Sequence, residues 1–168
     1  MSFRIEVMTV DDIPQVRDME SEAFTTGWQE EAFHNELTQN PTAHYLVVRG
    51  IGGVLVGYAG FWLVKDEAHV TSIAIRPGYR GQQLGKRLML ALVSRASEHG
   101  ALWMTLEVRA DNPAAQRMYK QFGFARVGVR PRYYDGTVDA WIMWAGNLHS
   151  DSYRERLRSL DSRSDRHA

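Results

Sequence analysis

Several residues combine chemistry with suggestive spacing. Residues 76–86 read Arg76-Pro77-Gly78-Tyr79-Arg80-Gly81-Gln82-Gln83-Leu84-Gly85-Lys86. This segment leaves a run of strand character and enters one of helical character, so free backbone N–H groups and the positive helix end face the turn. Gly81 and Gly85 permit close backbone approach, and Arg76, Arg80, Lys86 and Arg87 add positive charge. Such a turn suits a pyrophosphate. A basic turn whose glycines serve only geometry is the equal alternative, because neither a GxxxxGK[ST] loop nor a GxGxxG fingerprint is present.

Glu107 lies in Leu102-Trp103-Met104-Thr105-Leu106-Glu107-Val108-Arg109. A carboxylate set in an otherwise apolar strand loses solvation, a condition that suits a general base. An ion pair with Arg109, two residues on and on the same face, is the competing expectation. Tyr119 follows twelve residues later with Ala115, Met118 and Phe122 at helical spacing. Its hydroxyl is either a proton donor or part of a core. Asn112 reads most simply as a helix cap. His69 has no second histidine at metal-ligand spacing and reads as a hydrogen-bonded strand residue. Tyr133-Tyr134, near Arg130 and Arg132 and before Asp135-Gly136, forms either a contact surface on a loop or a cover for a sheet edge.

The elements that must carry these residues follow from hydrophobic period and punctuation. Residues 4–8 read as a strand. Thr9 caps a helix, with Asp12 three residues on and a stripe of Ile13, Val16, Met19 and Ala23. A second helix spans 28–37 on Trp28, Phe33 and Leu37. Strands follow at 43–49, 54–64 and 68–76, the first two joined by the glycine turn 50–53. Leu84, Leu88, Ala91, Leu92 and Ala96 stripe a third helix that Gly100 stops. Residues 102–109 alternate as a strand. Asn112-Pro113 opens a fourth helix that Gly123 closes, and strands at 124–130 and 139–145 flank a loop at 131–138. The order β-α-α-β-β-β-α-β-α-β-β predicts an α/β (α+β) fold, a mixed sheet of six to seven strands with four helices. Residues 1–148 form the expected domain, and 149–168 are expected as a polar, flexible tail in which Tyr153, Leu157 and Leu160 could otherwise mark a short docking helix.

Composition bounds the function. Of 168 residues, 44% are hydrophobic and 24% charged, as in globular domains, and 20 basic residues balance 20 acidic ones. That balance argues against a general polyanion binder, and with no aromatic-basic stripe no nucleic-acid partner is expected. The absence of cysteine excludes disulfides, thiolate zinc sites and cysteine acyl-enzymes. The longest apolar run, 54–64, falls well short of the ~20 residues that span a bilayer, and charges at Arg4, Glu6, Asp11 and Asp12 interrupt any leader-like core. A cytoplasmic protein without membrane association is expected.

Taken together, these parts resemble the GNAT superfamily of N-acetyltransferases over about residues 4–146. Its acetyl-CoA segment is a strand followed by [QR]-x-x-G-x-[GA] at a helix start; Arg80, Leu84 and Gly85 stand at those places, whereas Gln83 replaces the first glycine. Within the superfamily, the strings DEAHVTSIAI, TLEVRADNPAAQRMYKQFGF and VRPRYYDGTVDAWIM are similar to the bacterial ribosomal-protein-alanine N-acetyltransferases, the RimI type, as are MTVDDIPQVRDMESEAF and WQEEAFHNEL. The resemblance implies a GNAT fold, acetyl-CoA as co-substrate, no metal, and a protein N-terminus as acceptor. It implies Glu107 as proton acceptor and Tyr119 as proton donor. Cofactor contacts are implied from Ile73, Ala74, Ile75, Arg80, Gly81, Gln82, Gln83, Leu84, Gly85, Lys86 and Asn112, and Trp28, Tyr133 and Tyr134 would flank the acceptor. A monomer or weak dimer is expected. The alternatives are a broader N-terminal or lysine acetyltransferase and, given Gln83, a non-catalytic acetyl-CoA-binding module.

Overall fold

A computed structural model of the chain describes residues 2–23 and 30–165. Among them, β1 (Arg4–Val7), α1 (Ile13–Ala23), α2 (Glu30–Thr38), β2 (Ala43–Arg49), β3 (Leu55–Val64), β4 (Glu67–Ile75), α3 (Leu84–Glu98), β5 (Trp103–Arg109), α4 (Pro113–Gln121), β6 (Ala125–Tyr134), β7 (Val138–Gly146) and α5 (Asp151–Asp165) follow in order. The expected mixed fold is observed, with one helix more than the periodicity supplies. Hydrogen bonding orders a seven-stranded sheet β1-β2-β3-β4-β5-β7-β6. β4 and β5 are parallel, while β1–β2, β2–β3, β5–β7 and β6–β7 are antiparallel. The chain forms two compact units, Met1–Leu63 with Thr71–Leu92 and Val64–Val70 with Val93–Ala168. Their division falls inside β4 and inside α3, where no composition change marks it.

In the first unit, Met8 just after β1 and apolar residues of β2, β3 and the helices form one core around Ile13, Val16, Met19, Phe33, Val47 and Leu55. β3 is buried along most of its length, which is why it reads as an unbroken apolar run rather than an alternating one. Tyr45 stands opposite Gly60 across the β2–β3 ladder, and its ring lies where a Cβ on residue 60 would be. Glycine is therefore required there. Carboxylates tie the helices to these strands. Glu36 on α2 accepts from Tyr45 Oη at 2.8 Å, Trp62 Nε1 at 2.7 Å and Asn40 Nδ2 at 3.0 Å. Buried Glu20 on α1 accepts from Tyr58 Oη. Asp12 accepts the Thr9 N–H at 2.9 Å, as the capping pattern predicts, and pairs with Arg49 at 2.8 Å. Trp28, an expected anchor of the second helix, lies outside the described residues.

In the second unit, Met104, Leu106 and Val108 are buried on one face of β5. Asn112 Oδ1 caps α4 by accepting from the Ala115 N–H at 3.2 Å, with Pro113 as the first helical residue. Two expectations need correction. Residues 131–138 are not a loop: β6 continues through Pro131 to Tyr134, and the turn is confined to 135–137. Proline is tolerated because β6 is an edge strand that needs no ladder N–H there. Residues 151–165, expected as a flexible tail, form α5. Its Tyr153 and Leu160 are buried, and Tyr153 Oη donates to the Phe122 carbonyl at 2.7 Å, closing the end of α4. The sparse apolar residues of this segment are enough because they fall on one helical face.

Burial pushes Tyr45, Tyr58 and Tyr153 above the ordinary tyrosine value of 10.0. A group whose folded pKa is raised contributes stability that is complete below its unfolded pKa and is lost as pH rises toward the folded value. Each such tyrosine then lowers stability by up to about 1.4 kcal/mol per pH unit. Urea midpoints are expected to hold up to about pH 10 and fall steeply above it, with the tyrosinate absorbance of the buried tyrosines appearing only as the protein unfolds. Smooth ionisation of all seven tyrosines in still-folded protein would contradict this burial.

Candidate functional site

The first unit contributes the turn between β4 and α3. β4 ends at Ile75 with Ile73, Ala74 and Ile75 half-buried. A single helical turn, Pro77–Tyr79, reverses the chain before α3 begins at Leu84. Between them Gly81 (φ 80°) and Gln83 (φ 63°) both adopt left-handed backbone. Where a Cβ on Gly81 would stand there is open space, and Gly81, Gln82 and Gln83 are exposed. The first N–H groups of α3 have no carbonyl four residues back, and the ladder starts with Arg87 N–H donating to Gln83 O at 3.0 Å. The turn thus offers exposed donors at a helix N-terminus, as a phosphate requires. Its charge is narrower than composition suggests. Arg76 turns inward, its Nε donating to Leu55 O at 2.7 Å, and Arg87 reaches Phe3 O at 3.4 Å. Arg80, exposed and bonded to Ile75 O at 3.3 Å, and half-buried Lys86 remain at the turn.

The second unit contributes β5, β6, β7 and α4. Glu107 pairs across the ladder with Ile142, and Arg109 with Ala140. On the other side of β7, Ala140 faces Arg130. Residues opposite one another share a face, so Glu107, Arg109 and Arg130 all project from the same side, and the small Ala140 leaves room between the two guanidinium groups. The expected Glu107–Arg109 pair does not form. Glu107 Oε1 lies 3.5 Å from Arg130 Nε, whereas Arg109 pairs with Asp111 at 2.9 Å. Asp111 wins because it sits on the turn after β5, where the two side chains form a double hydrogen bond.

Tyr134, opposite Val138, belongs to this same face. The Arg109 guanidinium lies 5.1 Å from its ring centre. Burial, and then the charge of Glu107, push the Tyr134 hydroxyl up to about 12. Tyr119 on α4 is 5% exposed and raised above the ordinary range, mainly by burial and secondarily by Tyr134. Tyr134 thus lies within electrostatic reach of Glu107 on one side and Tyr119 on the other, with both tyrosines neutral at neutral pH. Tyr133 is 53% exposed beside Arg130, edge-on to Tyr134 at 5.1 Å. His69 meets Glu67 at 3.2 Å and the edge of Trp144, as a bonded strand histidine should. Among the described residues no three of His, Asp and Glu converge as a metal-ligand set.

Two residues escape sequence reasoning. Arg130 reaches Glu107 through a strand register that no local pattern encodes. Buried Gln116 donates to Arg109 O at 2.9 Å and Ala110 O at 3.1 Å, fastening α4 to the end of β5. A glutamine on the apolar side of a short helix is the signal that could have found it.

A model of the acetyltransferase (GNAT) family matches residues 13–124. A Bacillus subtilis (strain 168) protein, provisionally named a ribosomal protein bS18-alanine N-acetyltransferase, is 46% identical over 138 residues, 82% of this chain and 91% of that one. The N-alpha-acetyltransferase RimI of Mycobacterium tuberculosis is 38% identical over 146 residues, 83% of this chain and 89% of that one. The crystal structure of the ribosomal-protein-S18-alanine N-acetyltransferase from Escherichia coli superposes with a TM-score of 0.79 at 30% identity, covering 87% of this chain and 94% of that one.

The turn geometry yields a paired test. Gly81 is left-handed, whereas Gly78 is not, and both have open space at the Cβ position. Gly81→Ala is expected to cost about 1 kcal/mol in urea unfolding because of backbone strain alone, and Gly78→Ala is expected to be neutral or slightly stabilising. Equal effects would contradict the left-handed assignment at Gly81.

Proposed function

The chain belongs to the acetyltransferase (GNAT) family, and on that premise we propose that it transfers the acetyl group of acetyl-CoA to the N-terminal α-amine of a protein, the N-terminal alanine of a small-subunit ribosomal protein being the preferred acceptor. The names of the similar Bacillus and Escherichia proteins support that acceptor. The observation that carries the chemistry is the grouping of Glu107, Tyr134 and Tyr119 in the second unit. A ribosomal acceptor places the enzyme in the cytoplasm, and among the described residues no helix is long and apolar enough to cross a membrane.

Bound acetyl-CoA supplies an activated thioester. The residues of the turn fit it: Arg80, Gly81, Gln82, Gln83, Leu84, Gly85 and Lys86 offer backbone donors and positive charge to its pyrophosphate, and Ile73, Ala74 and Ile75 offer backbone to its pantetheine arm. Asn112 uses Oδ1 for its cap, which leaves its amide nitrogen available as a donor. Gln83 takes the left-handed conformation without being glycine, so the pattern's missing glycine changes strain rather than backbone direction.

Acyl transfer to an amine needs a neutral nucleophile. An α-amino group with pKa about 8 is roughly one-tenth neutral at pH 7, while lysine near 10.4 is far less so. Glu107 takes the proton of the α-ammonium, directly or through one water, and Arg130 holds that carboxylate in place. Tyr119 keeps its proton throughout the physiological range, so its hydroxyl hydrogen-bonds the departing sulfur and passes the proton as thiolate charge develops. No covalent acyl-enzyme is required. Tyr133 and Tyr134 flank the acceptor's first residues.

Glu107→Gln is expected to lower kcat by about 10²-fold or more, the usual contribution of a general base, while leaving acetyl-CoA affinity within about twofold. Tyr119→Phe should lower kcat about tenfold or more with the fold intact. Turnover unchanged in both variants would reject this mechanism and favour the binding-module reading.

A further inference from the structure

Residues 112–134 carry Arg117, Lys120, Arg126, Arg130 and Arg132 and no Asp or Glu, in a chain whose charges balance only as a whole. No aromatic-basic stripe is visible along the sequence there, but folding of the second unit builds one. Trp141 on β7 has Lys120 of α4 at 5.7 Å and Arg126 of β6 at 4.8 Å from its ring centre. Arg126 stands opposite Met143 and Val129 opposite Trp141, so these side chains share the face of the sheet turned away from Glu107. Among the described residues neither Lys120 nor Arg126 has a carboxylate partner, and both are exposed. Two like charges held against one indole repel each other, and an anion that bridges them relieves that repulsion. Val127 (62%) and Val129 (43%) continue the patch along the exposed edge strand.

We propose that this α4–β6–β7 face binds single-stranded RNA, so that the enzyme meets its acceptor N-terminus beside RNA. The charge is complementary to phosphate. Arginine and lysine interleaved with an aromatic ring and small apolar residues are the surface a flexible single strand uses, sequence-independently. An acidic polypeptide would match the charge but, unlike RNA, does not present an aromatic ring at every residue for the aromatic and apolar part of the patch. The choice of RNA rests on the ribosomal-acceptor reading above, since such an acceptor works in an RNA environment; the face itself does not depend on that reading.

The test measures fluorescence anisotropy of a labelled 15-nucleotide single-stranded RNA with the full chain at several salt concentrations, alongside acetylation of an Ala-initiated peptide. Wild-type protein is expected to bind, with affinity falling as salt rises. The double variant Lys120→Ala, Arg126→Ala should bind at least tenfold more weakly and show a salt slope smaller by about 1.4, the loss of two phosphate contacts at roughly 0.7 each. Its peptide kcat/KM should be unchanged, which also shows that it folds. No binding at low salt, binding indifferent to the two substitutions, or equal displacement by polyglutamate would overturn the assignment. Displacement by coenzyme A would give the patch to the cofactor and overturn it too. RNA binding lost as expected, with no peptide acetylated by wild type, would sink the acetylation reading and leave the RNA face standing.

Discussion

Everything the second unit offers to chemistry depends on a period of two, and on where β6 departs from it. Along β5, Met104, Leu106 and Val108 turn to the core, so Thr105, Glu107 and Arg109 must turn the other way. A one-residue slip would bury the carboxylate and expose the leucine. The first departure is on β6, where Arg126 opposes Met143 but Gly128 already opposes Ile142. One extra residue, the exposed Val127, is bulged out. Without it Arg126 and Arg130, four residues apart, would share a face. With it Arg130 joins Glu107 and Arg126 joins Trp141. A second irregularity, two extra residues between Arg130 and Tyr134 with Arg132 at φ 53°, keeps Tyr134 on the Glu107 side. The base, its cation and the neighbouring tyrosine are thus products of strand register rather than of any local motif.

In the first unit the ordering constraint is the desolvation of carboxylates. Glu36, Glu20 and Asp12 leave α2, α1 and the turn before it, and each finds donors on the strands below. A buried carboxylate without those donors would cost several kcal/mol, so the bonds fix where the helices lie as firmly as the apolar core does. The exposed turn before α3 behaves oppositely. It leaves donors unpaired and holds Gln83 in a conformation that costs a non-glycine residue about 1 kcal/mol. Strain of this kind at a helix start is what a phosphate-binding turn is expected to tolerate.

The sheet and four of the helices were legible because their signals are local: alternation in β5, the Asn112-Pro113 start of α4, the Thr9–Asp12 cap, the continuous apolar β3. So was the turn at 76–86, whose glycines and helix start lie within eleven consecutive residues. What stayed hidden depends on long-range partners. Nothing near Glu107 announces that Arg130 will displace Arg109, because the outcome rests on a bulge two strands away and on Asp111 capturing the nearer arginine. Helix α5 was hidden by its polarity. Tyr153 and Leu160 suffice only because the Phe122 carbonyl and the end of α4 are there to receive them. Pro131 and Gly136 read as loop punctuation, yet an edge strand accommodates the first and a tight hairpin turn the second.

The account stands or falls on which nitrogen receives the acetyl group. The most direct measurement is mass-spectrometric location of acetyl after incubation of the protein and acetyl-CoA with peptides beginning in Ala, Ser, Met or Gly, each with an internal lysine and each in free and blocked form. The absence of cysteine in the enzyme keeps the parallel thiol-release assay clean. Acetyl on the α-amine of the free Ala peptide, with the lysine untouched and the blocked peptide inert, is the predicted result. Acetyl on lysine alone, in free and blocked peptides alike, would contradict it.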